Sequence, residues 1–319
     1  MEKIRVAVIG AGQFGQHHAR VLRGLPRAEL VGVADADLGR AEAVASRFGG
    51  RAVADYRRLI GSIAAATLAV PTALHDPIGI ELLQQGVDLL VEKPIAADLE
   101  SADRLIAAAG ERGRILQVGH LERFNPAVEA AAALARLPLF FEVHRMSPFT
   151  PRSLDIDVVL DLMIHDLDIV LSLVASEIEQ AQAVGLPVLS ERADIAHARI
   201  QFRNGCVANL TASRISTERI RKLRFFQPRQ YISVDYARQD GAVFSVGASR
   251  QIAFQPLAVE RGEPLEREMA AFLEAVATRA APRVSGADGR RALAVALRIR
   301  SEMEAHARLV EATLAANGT

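Results

Sequence analysis

The chain has no tryptophan, one cysteine and only three tyrosines among its 319 residues. A lone thiol, Cys206, excludes an internal disulfide and suits a reducing compartment. Net charge is missing as well, because 38 Lys and Arg offset 38 Asp and Glu. That balance leaves no basic footprint for nucleic acid and no polybasic patch for a membrane surface. Arginines are frequent from Arg214 to Arg229, but they alternate with apolar residues as on the outer face of β-strands. No apolar run reaches the roughly 18 residues that a membrane span needs. The opening "MEKIRVAVIG" enters a strand directly, with no secretory leader. The expectation is a cytoplasmic protein that meets neither nucleic acid nor membrane. HExxH and CxxC are absent too, so no metal is expected.

What is present is a long alternation. "IRVAVIG" (4–10) is a β-branched run ending in glycine, the pattern of a buried parallel strand. Strands at 29–35, 66–70, 88–92 and 114–120 follow, separated by helical stretches at 39–48, 74–85 and 98–112. Such alternation predicts a Rossmann-type doubly wound α/β sheet. After "RFNPAV" the grammar changes: Asn125-Pro126 starts a helix as N-cap and first-turn proline. Period-2 strands then surround turns such as Asn204-Gly205, which predicts an α+β domain with an open, mainly antiparallel sheet. Helices near 264–279 and 286–309 close the chain. The expected division is a cofactor-binding domain over 1–122 and a substrate-binding and oligomerisation domain over 123–319.

Gly10, Gly12 and Gly15, with Gln13 and Phe14 between the last two, form G-x-G-x-x-G. The motif follows a strand, opens a helix and has Asp35 at the end of the next strand, which is the dinucleotide fingerprint. Backbone amides at the helix start suit a pyrophosphate. Asp35 suits ribose hydroxyls and repels a 2′-phosphate, so the expected cofactor is NAD. Glu92-Lys93-Pro94 and Val70-Pro71-Thr72 each end a strand at the sheet edge where such folds bind ligands. Pro71, Thr72, Glu92 and Lys93 are therefore expected at the cofactor. His75 either touches it or caps the next helix.

"DVVLDLMIHDLDIVLSLV" (157–174) places acids and a histidine in an otherwise apolar helix. At about 3.6 residues per turn, Asp157, Asp161, His165 and Asp168 fall within roughly an 80° arc. A histidine is the usual acceptor of a hydroxyl proton, and an acid one turn away fixes its tautomer. Asp161 and His165 have that spacing. Two other readings stay open: a helix capped by Asp157 with Asp161 and Asp168 paired to sheet arginines, or a cation shared by the Asp–His pair. In the Pro-punctuated segment before the stripe, Arg145 and Arg152 are positioned to meet a diphosphate, Ser147 to read a sugar oxygen, and Asp157 to stand beside them. The alternative is a surface loop with solvated arginines.

Taken in order, "GAGQFGQHHAR", "VADAD", "VPTALH", "VEKP", "GHLERFNPA", "DLMIHDLD", "PLEREMAAFLEAV" and "SGADGRRAL" resemble the glucose–fructose oxidoreductase/inositol dehydrogenase/rhizopine-catabolism (Gfo/Idh/MocA) family from end to end. The resemblance implies an NAD(P)-dependent dehydrogenase with the family lysine at Lys93 and its D-x-x-x-H pair at Asp161 and His165. It also implies a homo-oligomer, dimer or tetramer, through the open sheet. "SLDIDVVLD" replaces the glycine-rich loop of many members. "RFNPA", "SPFTPR" and "LDLMIHDLDIVL" look most like the subgroup of UDP-N-acetylglucosamine 3-dehydrogenases. An inositol or free-sugar dehydrogenase is the alternative, and a non-catalytic NAD-binding sensor is the third reading.

Overall fold

A computed structural model of the protein describes residues 2–150, 156–247 and 250–316. The apolar run behind the glycine turn forms β1 (Ile4–Ile9), which leads through α1 (Gln13–Gly24) to β2 (Ala28–Ala34). Asp37 caps α2 (Leu38–Phe48), and the short β3 (Arg51–Val53) follows. Then come β4 (Ala65–Leu68), α3 (His75–Gln84), β5 (Asp88–Glu92), α4 (Leu99–Glu111) and β6 (Leu116–Gly119). The six strands lie in the order β3-β2-β1-β4-β5-β6, all parallel. This is the expected doubly wound sheet, with the order reversing beside β1. Buried on both faces, β4 shows no exposed position.

Beyond Phe124 the chain forms α5 (Pro126–Ala132), with Asn125 as its N-cap as expected. Next are β7 (Phe140–Met146), a π-helical turn over Val159–Met163 and α6 (Ile164–Leu173). The remaining strands are β8 (Ile178–Leu186), β9 (Ile195–Phe202), β10 (Val207–Ser213), β11 (Ile220–Gln227), β12 (Gln230–Asp235), β13 (Asp240–Val246) and β14 (Ile252–Pro256). They form one sheet in the order β14-β13-β12-β11-β7-β10-β9-β8, antiparallel except for the parallel β7–β10 pair. Alternation puts Phe141 and Val143 of β7 inward, where they join Ile164, Leu167 and Val170 of α6 in one core.

The chain closes with α7 (Pro264–Thr278) and α8 (Gly286–Ala316). It divides into two compact units, one of residues 1–124 with 262–290 and one of residues 125–261 with 291–319. This differs from a single cut between 122 and 123, because the chain returns to the first unit. Met269, Phe272, Leu273 and Val276 of α7 share a core with Val6, Val8 and Leu90 of the parallel sheet. Burying four such side chains stabilises by about 1.5–3 kcal/mol each, which decides where the helix belongs. Among the described residues, no helix is long and apolar enough to cross a membrane.

Candidate active site

The glycine turn is shaped by contacts that no other residue tolerates. Gly10 has φ +95°, and a Cβ there would lie 2.3 Å from the Ala69 carbonyl oxygen. At Gly15 a Cβ would lie 1.7 Å from the carbonyl oxygen of Gly10, so α1 leaves the strand against bare backbone. Gly12 faces open space instead, with nothing among the described residues within 4 Å of that position. The first turn of α1 carries no acidic side chain, so its amide end is left for an anion.

Asp35 stands at the end of β2 with its carboxylate fixed by backbone donors. Ala11 N–H donates to Oδ2 at 2.7 Å and Asp37 N–H to Oδ1 at 2.9 Å. Each carboxylate oxygen has two acceptor sites, so this orientation still leaves capacity for ribose hydroxyls. A cleft of about 660 Å³ runs from Gly10 and Gly12 past Asp35 to Pro71 and Leu74. Its outer wall holds residues that sequence reasoning missed: Arg40, Tyr56 and Arg57. Glu81 pins that wall, accepting from Tyr56 Oη at 2.7 Å and from Arg57 Nε and Nη2, each at 2.7 Å. Burial, and then the bond to Glu81, push the Tyr56 phenol up to about 12. The signal was the run "DYRR" after a short strand, which lies at the open edge of the cleft.

Gln13 and Phe14 are exposed on the first turn of α1. Thr72, Glu92 and Lys93 do not line the cleft, and His75 is buried away from it. The His75 ring sits between two loops, Nδ1 2.9 Å from the Pro94 carbonyl oxygen and Nε2 3.0 Å from that of Val70. Burial holds its pKa below the ordinary value against the pull of both carbonyls. His75 thus ties the Val70-Pro71-Thr72 end to the Glu92-Lys93-Pro94 end, a role distinct from cap or cofactor contact. Glu92 accepts from His18 Nε2 at 2.9 Å and from the Lys93 backbone N–H at 3.3 Å.

In the second unit, the stripe on "DVVLDLMIHDLD" is not the uniform α-helical arc expected. The π turn over Val159–Met163 inserts wider i→i+5 spacing at Asp161, so angles counted at 3.6 per turn do not carry through it. Asp157 and Asp168 are buried, whereas Asp161 and His165 are half-buried. Asp157 caps the helix, accepting from Val159 and Leu160 N–H at 3.0 and 3.1 Å, and pairs with Arg300 Nε at 2.8 Å. Those partners make it a structural group, correcting its place among the substrate contacts.

Arg145 is a second correction. It lies on β7 rather than in a loop, facing inward with Phe141 and Val143. There it makes a two-point pair with Asp166 of α6, Nε to Oδ2 at 2.6 Å and Nη2 to Oδ1 at 2.9 Å. Tyr236 Oη donates to the same carboxylate at 2.9 Å. The guanidinium is held by a carboxylate and is not presented to a diphosphate. Period-2 counting through "FFEVHR" could have revealed this, since an inward arginine demands a buried anion. Ser147 follows β7 directly, and its hydroxyl accepts from Arg221 Nη2 at 3.4 Å. Arg152 lies outside the described residues.

Residues 4–120 match the model of an oxidoreductase family with an NAD-binding Rossmann fold, and residues 106–232 match the Gfo/Idh/MocA C-terminal domain. UDP-N-acetylglucosamine 3-dehydrogenase of Acidithiobacillus ferrooxidans is 37% identical over 311 residues, 96% of this chain and 99% of that protein. The chain belongs to the Gfo/Idh/MocA family. A solved structure of the Acidithiobacillus enzyme superposes with a TM-score of 0.91 over 96% of this chain and 99% of that one, at 36% identity. Inositol 2-dehydrogenase of Rubrobacter xylanophilus is 35% identical over 58% of this chain and 56% of its own length. Levoglucosan dehydrogenase, solved in complex with NADH and levoglucosan, shares the fold at 21% identity, with a TM-score of 0.86 over 95% of this chain and 97% of that one. The chain is accordingly an NAD-dependent dehydrogenase, and the open face at Gly12 beside the fixed Asp35 fits a dinucleotide.

Proposed function

We propose that this Gfo/Idh/MocA dehydrogenase oxidises a ring hydroxyl of a nucleotide sugar, the 3-hydroxyl of a UDP-N-acetylglucosamine-type substrate. The observation that carries the reading is the end-to-end match to the Acidithiobacillus enzyme, against matches to inositol dehydrogenases that stop well short of full length. Bound NAD supplies the hydride acceptor. Residues 1–124 with 262–290 are assigned to the cofactor: the Gly10–Gly15 turn, with Gln13 and Phe14, to its pyrophosphate, and Asp35 to its ribose. Lys93 holds a positive charge toward the reacting hydroxyl oxygen, which favours loss of its proton. In the second unit, assigned to substrate, His165 takes that proton as general base and Asp161 fixes the imidazole tautomer. Ser147 and Arg152 are assigned to substrate, with Arg221 beside the serine.

The same reading gives the outer face of the eight-stranded sheet to a second copy of the chain. Phe140, Phe226, Tyr231, Phe244 and Phe254 form a ladder there with ring centroids 4.7–5.6 Å apart. Phe254 is 60% and Ile252 75% exposed, an apolar face that suits a dimer or tetramer in the cytoplasm. Sedimentation of the purified protein tests this.

The substrate is tested by incubating purified protein and NAD with UDP-sugars, free sugars and inositols while following NADH absorbance. Turnover of UDP-N-acetylglucosamine, with competitive inhibition by UDP, is expected. Inositol turnover as good as that of any UDP-sugar, without inhibition by UDP, would establish the inositol dehydrogenase reading instead.

A further inference from the structure

The Rossmann unit buries more titratable chemistry behind Lys93 than the reaction above uses. Thr67, Leu90 and Gln117 stand in register across β4, β5 and β6, and Glu92 stands beside Gly119 further along the same face. That face is covered by α1 and α7, whose Ala19, Leu22, Met269 and Phe272 share a core with Val8 and Leu90. Among these apolar contacts lie His18 of α1 and Glu268 of α7, both 0% exposed.

The two carboxyls, Glu92 and Glu268, are in opposite circumstances. Glu92 is held by donors on both oxygens, His18 Nε2 on one and the Lys93 N–H on the other. It lies against the bare backbone of Gly119, where a Cβ would come within 3.1 Å of its Oε2. Burial alone would raise the Glu92 carboxyl, but the His18 hydrogen bond and the charges of His18 and Lys93 outweigh it. The result lies below the ordinary value. Neither side-chain oxygen of Glu268 has a hydrogen-bond partner among the described residues. Burial, and then the negative charge of Glu92, push its carboxyl well above the ordinary range.

Hydrogen-bond accounting agrees. Gln117 Nε2 donates to the Glu268 backbone oxygen at 3.3 Å, while Gln117 Oε1 is a buried acceptor with no donor among the described residues. An ionised Glu268 would add only acceptors to that neighbourhood, whereas the protonated acid brings a donor.

We propose that His18, Glu92 and Glu268 form a charge-setting device behind Lys93, in which Glu92 is the anion of the two buried acids and Glu268 is the neutral one. The inference rests on the assignment of Lys93 to the reaction. All three act through Lys93 and are positioning residues. A second buried carboxylate there would add acceptors that no donor meets and a further negative charge close to Glu92.

One isosteric change separates the two acids. Glu92→Gln is expected to lower kcat about 10- to 100-fold, the effect of a misplaced reacting group, with KM for NAD and the melting temperature near wild type. Glu268→Gln is expected to cost far less turnover and to abolish the C=O stretch of a protonated carboxylic acid from the infrared spectrum at neutral pH. Glu92→Gln leaves that band in place. Lys93→Ala is assayed alongside. Retained turnover in Lys93→Ala overturns the assignment of Lys93 and the inference with it. Loss in Lys93→Ala with wild-type kcat in Glu92→Gln, or a band that survives Glu268→Gln, overturns the inference alone. Gly119→Ala, which presses a methyl onto the carboxylate without changing charge, covers the case in which Glu92→Gln fails to fold. A drop in kcat supports the device, and wild-type kcat overturns it.

Discussion

Removing the Arg145 side chain should unfold the second unit far more readily than its single position suggests. The Arg145 and Asp166 side chains are 3% and 2% exposed, joined by two bonds at 2.6 and 2.9 Å. Arg145→Ala leaves a buried carboxylate with only the 2.9 Å bond from Tyr236 among those described above. Breaking a buried pair by removing one partner costs about 3–5 kcal/mol, most of it the price of the stranded charge. At roughly 2–4 °C per kcal/mol for a unit of this size, the melting temperature should fall by about 10 °C. Arg145→Met with Asp166→Leu removes both charges, keeps much of the volume and should recover more than half of the loss. Far-ultraviolet circular dichroism in urea and thermal series measures wild type and both variants; with no tryptophan in the chain, fluorescence reports only the three tyrosines. A loss below about 1 kcal/mol in Arg145→Ala, or a double variant no better than the single, would refute the claim that a stranded charge sets the cost.

Asp35 should give at least about a tenfold preference for NADH over NADPH, about 1.4 kcal/mol, and Asp35→Ser should erode it, with Arg40 on the same cleft wall exchanging its exposed pairing with Asp37 for the 2′-phosphate. Fluorescence titration of both cofactors measures this, and equal wild-type affinities would sink the assignment. His165→Ala and Lys93→Ala should each lose on the order of 10²- to 10⁴-fold in turnover while NAD still binds, and Asp161→Asn somewhat less. A wild-type rate and pH profile in His165→Ala would return the stripe to a structural role. Burial works to raise the Asp194 carboxyl, but the amides of Leu189 and Val188, the Ser190 hydroxyl and Arg214 outweigh it and hold it well below the ordinary range. A depressed folded pKa contributes stability that is fully present above the unfolded value of about 3.9 and is lost as pH falls through the folded one. The melting-temperature gap between wild type and Asp194→Asn should therefore be level from neutral pH down to about 5 and close below about 4.

Much of the first unit was legible because β1 is a short β-branched run ended by Gly10, β4 and β5 lead into Val70-Pro71 and Lys93-Pro94, and glycine spacing with Asp35 marks the cleft directly. The second unit was legible as a sheet but not at its helix. A π turn is set by how Val159 and Met163 seat in the core, not by any local residue preference, so the arc drawn for Asp157, Asp161, His165 and Asp168 assumed a pitch the chain does not keep. Arg145 was misread because "HRMSP" looks like the start of a loop, whereas ladder pairing with Arg221 and Ala212 extends β7 through it. Amphipathic pattern identified α7 but not its partner: apolar residues at helical spacing show that a face is buried, not which core receives it.

That return of α7 to the parallel sheet has a consequence for how the molecule is made. A ribosome releases residues 1–124 first, yet the part of the apolar face around Val6, Val8 and Leu90 that α7 covers beside α1 stays open until residues beyond 262 emerge. At about 5–20 residues per second the interval is on the order of 10 s, during which the eight-stranded sheet is synthesised whole. The unit that begins the chain is thus finished late. Glu268 travels on that late helix, so a nascent chain can shape the glycine turn early and still lack the acid behind Lys93. A fragment ending at residue 124 is expected to aggregate, and one that also carries 262–290 through a short linker to bind NAD.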